Sequence, residues 1–268
     1  MKPTPARFYK YRRIDKDGHT KAILARNELF FAAPGSFNDP FDSAFNVAVE
    51  GRDNQMVFES MAFQEIKRKR PDLSMRDLFE AAQQVGAAIV ERKSEEFRAV
   101  TIEKLARDTN DKVGILSLSE KNDDILMWSH YANCHKGICL EFSTLQPSFF
   151  QSAQPVNYGD EFPTFNLHDI VVDEDLRKAA TWMLMKASQW QYEKEWRVLE
   201  FGDGPGPKPF PPGVLSGVIL GCRIPTDDRE RVLSWILLRG GHVALYQAKK
   251  MPGQFRLSIE AIPGVRNA

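Results

Sequence analysis

The chain has 268 residues, 43% of them hydrophobic and 27% charged, and its 36 basic residues are balanced by 36 acidic ones. That length can bury a substantial core without disulfides or a structural metal, and the composition excludes wholesale disorder and collagen-like structure. Neutrality holds in each half when the chain is divided at Asn133/Cys134, so no basic domain of the kind that duplex binding draws on is present. No apolar run approaches the roughly 18 residues that span a bilayer. The first residues, Met1 to Pro5, lack the apolar core of a signal peptide. Three cysteines, Cys134, Cys139 and Cys222, make no disulfide framework. The expectation is a reduced, soluble, cytoplasmic protein with no membrane partner.

In chain order, Arg7 to Arg12 alternates aromatic and basic residues as a half-buried strand does. Asp17-Gly18 marks a turn, Ile23 to Asn27 a short helix and Leu29 to Ala32 a second strand. Two prolines and a glycine keep Pro34 to Asp42 irregular. From about 53 to 112 the pattern turns helical. Phe58, Met61, Ala62, Glu65 and Ile66 share a face, Pro71 breaks the run, and Ser74 with Asp77 starts a second helix carrying Leu78, Ala82, Val85 and Ile89. The run Lys67 to Arg70, surrounded by acids, reads as a solvated helix end. Strands return at Gly114 to Ser119 and Gly137 to Phe142, with a short helix capped by Asp123 or Asp124 between them. A helix is expected from Asp173 to about Lys186, a strand over Glu193 to Leu199 and a loop over Pro205 to Pro212. A strand at Val218 to Gly221, a helix from Thr226 to Arg239 and strands at Val243 to Gln247 and Leu257 to Glu260 complete the chain. The whole is one α+β domain over residues 1–268 with a helical insertion at about 53–112.

Three groups of residues could carry chemistry. His130, Cys134, His135 and Cys139 crowd ten residues, but no second, distant ligand pair accompanies them, which argues against zinc. A cysteine in an apolar strand packs as a small hydrophobe. His130 ends a short helix beside Tyr131, whereas His135 precedes a turn and reads as structural. Asn38 and Asp39 before Pro40 make a turn that Phe37 and Phe41 should pin to the core as one wall of a cleft, and Asp39 with Asp42 could hold a magnesium ion. Glu193, Glu195 and Arg197 share one face of a strand among Trp190, Tyr192 and Trp196. They make either an exposed ion-paired face or a partly buried carboxylate pair, the mark of a functional site.

Taken together, Phe8-Tyr9-Lys10-Tyr11-Arg12, Phe37 to Asp42, Leu116 to Ser119, Met127 to Ala132 and Trp190 to Arg197 resemble the bacterial domain-of-unknown-function family numbered 2971. A second resemblance lies in residue order. Arg12 on the first strand, Ser117-x-Ser119 on a middle one and Glu193-x-Glu195 on a late one are similar to the Arg, Ser-Thr-Ser and Glu-x-Glu elements of ADP-ribosyltransferases, the DNA-targeting toxins among them. Leu118 stands where that pattern has threonine. This resemblance implies a split β-sheet core and an enzyme that cleaves NAD and transfers ADP-ribose to a protein or nucleic acid, or to water. Such an enzyme would act as a toxin or phage-defence effector, with an antitoxin or other defence-system partner and no metal. It implies that Glu195 stabilises the ribosyl cation and Glu193 orients the acceptor, while His130, one turn beyond Asp124–Met127, is expected to face the cleft beside Glu195. Ser117 and Ser119 would brace Glu195 and the ribose, Arg12 would meet the pyrophosphate, and Tyr11, Trp128 or Tyr131 would stack on a ring. The rivals are a non-enzymatic interaction or sensor module and a metal-dependent nuclease built on Asp39 and Asp42.

Overall fold

The computed structural model describes residues 2–15, 18–48, 52–92, 102–103, 106–107, 109–166, 181–239 and 242–263. Its strands run β1 Arg7–Arg12, β2 Glu28–Phe31, β3 Asn46–Ala48, β4 Gly114–Ser119, β5 Ile138–Ser143, β6 Gln154–Pro155 and β7 Asn157–Gly159. They continue as β8 Thr164–Asn166, β9 Met185–Ala187, β10 Glu195–Glu200, β11 Gly206–Pro209, β12 Leu215–Leu220, β13 Ala244–Lys250 and β14 Leu257–Ala261. The helices are α1 His19–Arg26, α2 Arg52–Lys69, α3 Met75–Arg92, α4 Ile125–Tyr131 and α5 Thr226–Arg239. The fold is mixed α+β. Its main sheet has eight strands in the order β14-β13-β12-β5-β1-β4-β10-β6, all antiparallel neighbours except β12 and β13.

Alternation along the strands sorts side chains onto two faces. Phe8, Leu118, Leu140, Trp196 and Val218 point one way, into a core closed by Ile23 and Leu24 of α1 and Val232, Trp235 and Ile236 of α5. Each such side chain contributes about 1.5–3 kcal/mol by leaving water. The other face carries Tyr9, Tyr11, Ser117, Ser119, Cys139, Glu141, Glu195 and Arg197. Met127 and Trp128 of α4 cover part of it. Asp124 starts α4, its carboxylate accepting the backbone N–H groups of Leu126 and Met127, as an N-cap does.

The sheet is thinly joined at one place. β1 pairs with β5 through six residues and β10 with β4 through six, whereas β1 and β4 meet only at Tyr9↔Ser119. Beyond that pair the Lys10 ammonium donates to the carbonyl of Ser117, 2.9 Å away. Burial, with Arg12 nearby, lowers the Lys10 pKa to about 7.

The helical region begins as expected. Ser74 caps α3 by accepting the Asp77 N–H at 3.2 Å, and Lys67 to Arg70 are exposed, with ion pairs to Glu65 and Asp72. The buried stripe of α3 is Leu78, Ala82 and Gly86 rather than one continuing through Val85, which is exposed. A Cβ on Gly86 would come within 2.5 Å of the Glu59 side chain and 3.1 Å of its backbone nitrogen, so only glycine lets α3 lie this close to α2.

Three expectations change. Pro205 to Pro212 is not all loop, because Gly206–Pro209 pairs antiparallel with β2. The helix expected from Asp173 lies outside the described residues as far as 180. Beyond that, Trp182–Leu184 is a 3₁₀ turn and Met185–Ala187 a strand parallel to β7. Glu193 is not on the strand with Glu195: it ends a 3₁₀ segment, and Lys194, at φ 46°, makes a left-handed step into β10.

Candidate functional site

Although the left-handed step at Lys194 takes Glu193 off the strand, Glu193 and Glu195 still converge on one ammonium. Lys186, opposite Tyr158 in the β7–β9 ladder, places its Nζ 2.5 Å from Glu193 Oε2, 3.3 Å from Glu195 Oε2 and 3.7 Å from Asp42 Oδ2. Arg197, two residues beyond Glu195 on the same strand face, grips both oxygens of that carboxylate at 2.9 and 3.0 Å. Its guanidinium also donates to Asp42 at 2.8 Å and to the Met183 carbonyl at 2.5 Å, using the fixed fork that arginine alone offers. Tyr131 donates to Glu193 Oε1 at 2.7 Å, Ser119 donates to the Glu193 carbonyl at 2.6 Å, and the Tyr158 hydroxyl accepts the Glu195 N–H at 2.8 Å. The Phe37 ring lies 5.2 Å below the Arg197 guanidinium, and the Trp190 ring 4.9 Å from the Lys186 ammonium.

Three carboxyl groups, those of Asp42, Glu193 and Glu195, therefore face two cations out of water. Residue exposure is 3% for Glu193, 5% for Glu195 and 1% for Arg197. Burial by itself would raise the Glu195 pKa, but Arg197 and Lys186, helped by a hydrogen bond from the Ser117 side chain, outweigh it and hold the group down at about 2. Glu193 goes the other way: burial raises its pKa against the pull of Lys186 and Tyr131. Burial also works against the charge of Lys186, yet Glu195, Glu193 and Asp42 overcome it and raise its pKa. Glu195 stays a carboxylate well into acid, and Glu193 is the member of the pair that takes up a proton more readily. In this conformation both oxygens of each carboxylate are engaged by protein donors.

The Asn38-Asp39-Pro40 loop is tied to this network, though not as expected. Phe37 is half-buried, but Phe41 is 64% exposed. Carboxylates anchor the loop instead. Asp42 bonds Arg197, and Asp39 accepts the Trp190 indole N–H at 2.7 Å and the Phe41 N–H at 2.9 Å. Asn38 is exposed. With Asp42 against two cations and Asp39 committed to an indole and a turn, the magnesium-holding role considered for this pair does not fit.

Of the other residues singled out from sequence, Ser117, Ser119, Tyr131, Glu193 and Glu195 come together as described. Arg12 does not: it follows Tyr11 and so points to the opposite face of the sheet, where it pairs with Asp15 at 2.7 Å. Tyr11 and Trp128 are core residues, their rings edge to face at 5.3 Å. Tyr11 donates to the Lys121 carbonyl and Trp128 to that of Asn122, which leaves neither ring a face for a ligand. His130 is exposed, 6.4 Å from Trp190 between ring centres and with no bond to Glu195. His135 is structural: it stacks on Trp128, contacts the Ser129 hydroxyl at 3.2 Å, and burial lowers its pKa. Cys139 is buried as expected, whereas Cys134 is exposed, on a left-handed turn with Asn133 and His135. Lys186, Asp42 and Tyr158 are the site residues that sequence reasoning missed or misassigned. No local pattern marks Lys186 or Tyr158, and Asp42 meets Arg197 across 155 residues of chain.

A family model described as "Protein of unknown function (DUF2971)" matches residues 127–198, a segment that holds Tyr131, Lys186, Trp190, Glu193, Glu195 and Arg197. The resemblance to that family is thus found where the network is densest. No curated protein and no solved structure matches the chain. Among the described residues, no helix is long and apolar enough to cross a membrane.

Proposed function

We propose that the protein is a cytoplasmic ADP-ribosyltransferase-like enzyme that cleaves NAD and passes ADP-ribose to a macromolecule or to water, as a toxin or phage-defence effector. One observation carries the reading. The strands bearing Arg12, Ser117-x-Ser119 and Glu195 are consecutive in the sheet, β1-β4-β10, with Glu193 just before β10 and Arg12 on the opposite face, and the sheet is nearly divided between β1 and β4 beside Ser119 and Glu195. A near-split sheet with those residues at the split is what the resemblance leads one to expect. NAD fits the residues only in part. Glu195, held as a carboxylate and braced by Ser117, suits a role in stabilising positive charge on a ribose. The pyrophosphate and ring-stacking roles pass from Arg12, Tyr11 and Trp128 to groups not yet assigned, since these three are committed elsewhere.

The burial of Glu193 and Glu195 favours a second reading, in which the network is a structural clasp in a non-enzymatic interaction or sensor module. One experiment separates the two. NAD consumption is measured for the wild type and Glu195→Gln, with protein and nucleic-acid acceptors present and below both melting temperatures. The enzyme reading expects turnover in the wild type and a loss on the order of 10²–10³ in the variant, as for deletion of one preorganised electrostatic group. Turnover that survives in Glu195→Gln removes the catalytic role, and no turnover in either leaves the clasp.

A further inference from the structure

The chain is neutral overall, but its cations gather at one corner. A cleft opens at the carboxyl ends of β12 and β13, the parallel pair of the main sheet, with about 720 Å³ of empty space counting its open mouth. Arg229, Lys249 and Lys250 line it, and among the described residues no acid does. Arg223 stands between two further lining residues, Cys222 and Ile224, with its N–H donated to the His135 carbonyl at 3.0 Å. It acts together with Lys250 on His135, whose pKa is lowered first by burial and then by these two charges. Arg256 closes the turn that follows Lys250, its carbonyl accepting the Met251 N–H at 3.0 Å. Of these five cations only Lys249 has an acid, Glu260 at 2.6 Å, and the other four make no ion pair among the described residues. The nearby acids of α5 do not line the cleft, and one of them, Asp228, is paired with Arg231. Unpaired cations at one corner repel one another, a cost that an anionic ligand offsets.

A second observation narrows the kind of anion. Phe255 stands in the same turn, immediately before Arg256, and at 96% exposure it is the most exposed large apolar side chain among the described residues. It belongs to no core cluster, so packing of the fold does not account for its placement. Inorganic phosphate would use the cations and leave the ring idle. A duplex also leaves it idle, because its bases are already stacked on one another. A single strand uses both, since its phosphates follow a basic groove while every base offers a flat face to an aromatic side chain. Stacking one base in this way is worth roughly five- to a hundredfold in affinity.

We propose that this corner is a docking surface for single-stranded nucleic acid, with phosphates meeting Arg223, Arg229, Lys250 and Arg256 and one base stacked on Phe255. Three strands, β5, β1 and β4, separate β12 from β10 and Glu195. The surface requires no NAD chemistry and its test contains no NAD, so its failure and that of the enzymatic reading are separate outcomes. Anisotropy titrations of the intact protein use labelled oligo(U) and oligo(dT) of about 12 nucleotides, a duplex of the same length, and polyphosphate as competitor. A single strand should bind in low salt and weaken as salt rises, with a logarithmic slope of about −2 to −3, or about −0.7 for each phosphate met. Arg229→Gln and Lys250→Gln should each flatten that slope by about 0.7. Phe255→Ala should weaken binding roughly five- to a hundredfold at an unchanged slope. All three variants should keep the wild-type melting temperature. Either oligonucleotide bound in this way supports the surface, and the tighter one names the strand it takes. No single-strand binding up to about 1 mM in low salt, a duplex bound as tightly, or unaltered binding in Phe255→Ala would overturn it. Polyphosphate competing as strongly, phosphate for phosphate, would overturn the nucleic acid and leave a general anion site in its place.

Discussion

The two faces of β10 are almost equally dry and are held in opposite ways. Trp196 and Val198 enter an apolar core among Phe8 and Leu118, where each contact is small, and the Trp196 indole N–H also donates to Glu120 at 2.6 Å. Glu195 and Arg197, on the other face, are held by a few specific partners, Lys186, Asp42 and the Met183 carbonyl, and each of these matters. Burial on the apolar side follows from area. On the polar side it is tolerated only because the charges neutralise one another, since removing one partner strands another in a dry site. An alternating strand pattern is usually read as one wet face and one dry face. Here the polar face is dry as well, and an arginine gripping the carboxylate two residues before it is the reason.

The largest way to break this balance is to remove Arg197. Arg197→Leu should cost about 3–5 kcal/mol at neutral pH, or prevent folding, because Glu195, Asp42 and the Met183 carbonyl lose their donor. Leu118→Ala on the apolar face should cost about 2–5 kcal/mol. Denaturant titrations at several pH values separate the faces. The Leu118→Ala cost should stay flat with pH, whereas the Arg197→Leu cost should shrink as acid protonates the stranded carboxylates. Equal pH dependence would mean that the two faces are not held differently.

A smaller effect concerns the wild type in acid. Glu195 has its folded pKa depressed from 4.5 to about 2, so its contribution is complete above about pH 4.5 and is lost as pH falls towards 2. The loss should reach about 3 kcal/mol at most. Glu193, with its pKa raised, pulls in the opposite sense: the stability it lends is present below pH 4.5 and fades as pH rises through its folded value. Acid unfolding curves of Glu195→Gln should therefore flatten between pH 4.5 and 2, and an unchanged acid limb would show that Glu195 is not held as described. The smallest effect is at Phe41. Exposed as it is, Phe41→Ala should move stability by no more than about 0.5 kcal/mol, and a larger drop in melting temperature would mean that the loop is anchored by its phenylalanine after all.

Much of this architecture could be read from local pattern. The alternation of β1, β4 and β5, the Asp124 cap, the Ser74 start and the α5 span all follow from near neighbours in sequence. The burial of the Glu193–Arg197 stretch was legible because aromatics crowd its carboxylates. What escaped was set by distance along the chain. Asp42 looked like half of a magnesium pair because its partner, Arg197, is distant in sequence, and Phe41 looked like an anchor because a phenylalanine is buried by default. Arg12 illustrates register: one residue separates it from Tyr11, and one residue is enough to place it on the wrong side of the sheet. The short strands β7 and β9 have no signature of their own, so Lys186, which they position, could not be seen.

The single pair joining β1 to β4 has a topological consequence. On one side of it lie β1, β5, β12, β13 and β14, and on the other β4, β10 and β6. The polypeptide passes between these two halves from β1 to β4, back to β5, again to β6, and back once more from β10 to β12. Neither half is a contiguous stretch of sequence, so neither can be excised and expected to fold. The pair Tyr9↔Ser119 cannot form until more than a hundred residues have been brought round, a non-local closure whose entropy is spent before the contact is gained. Where ladder hydrogen bonds between the halves are fewest, covalent crossings are many, and the chain itself ties the two halves together.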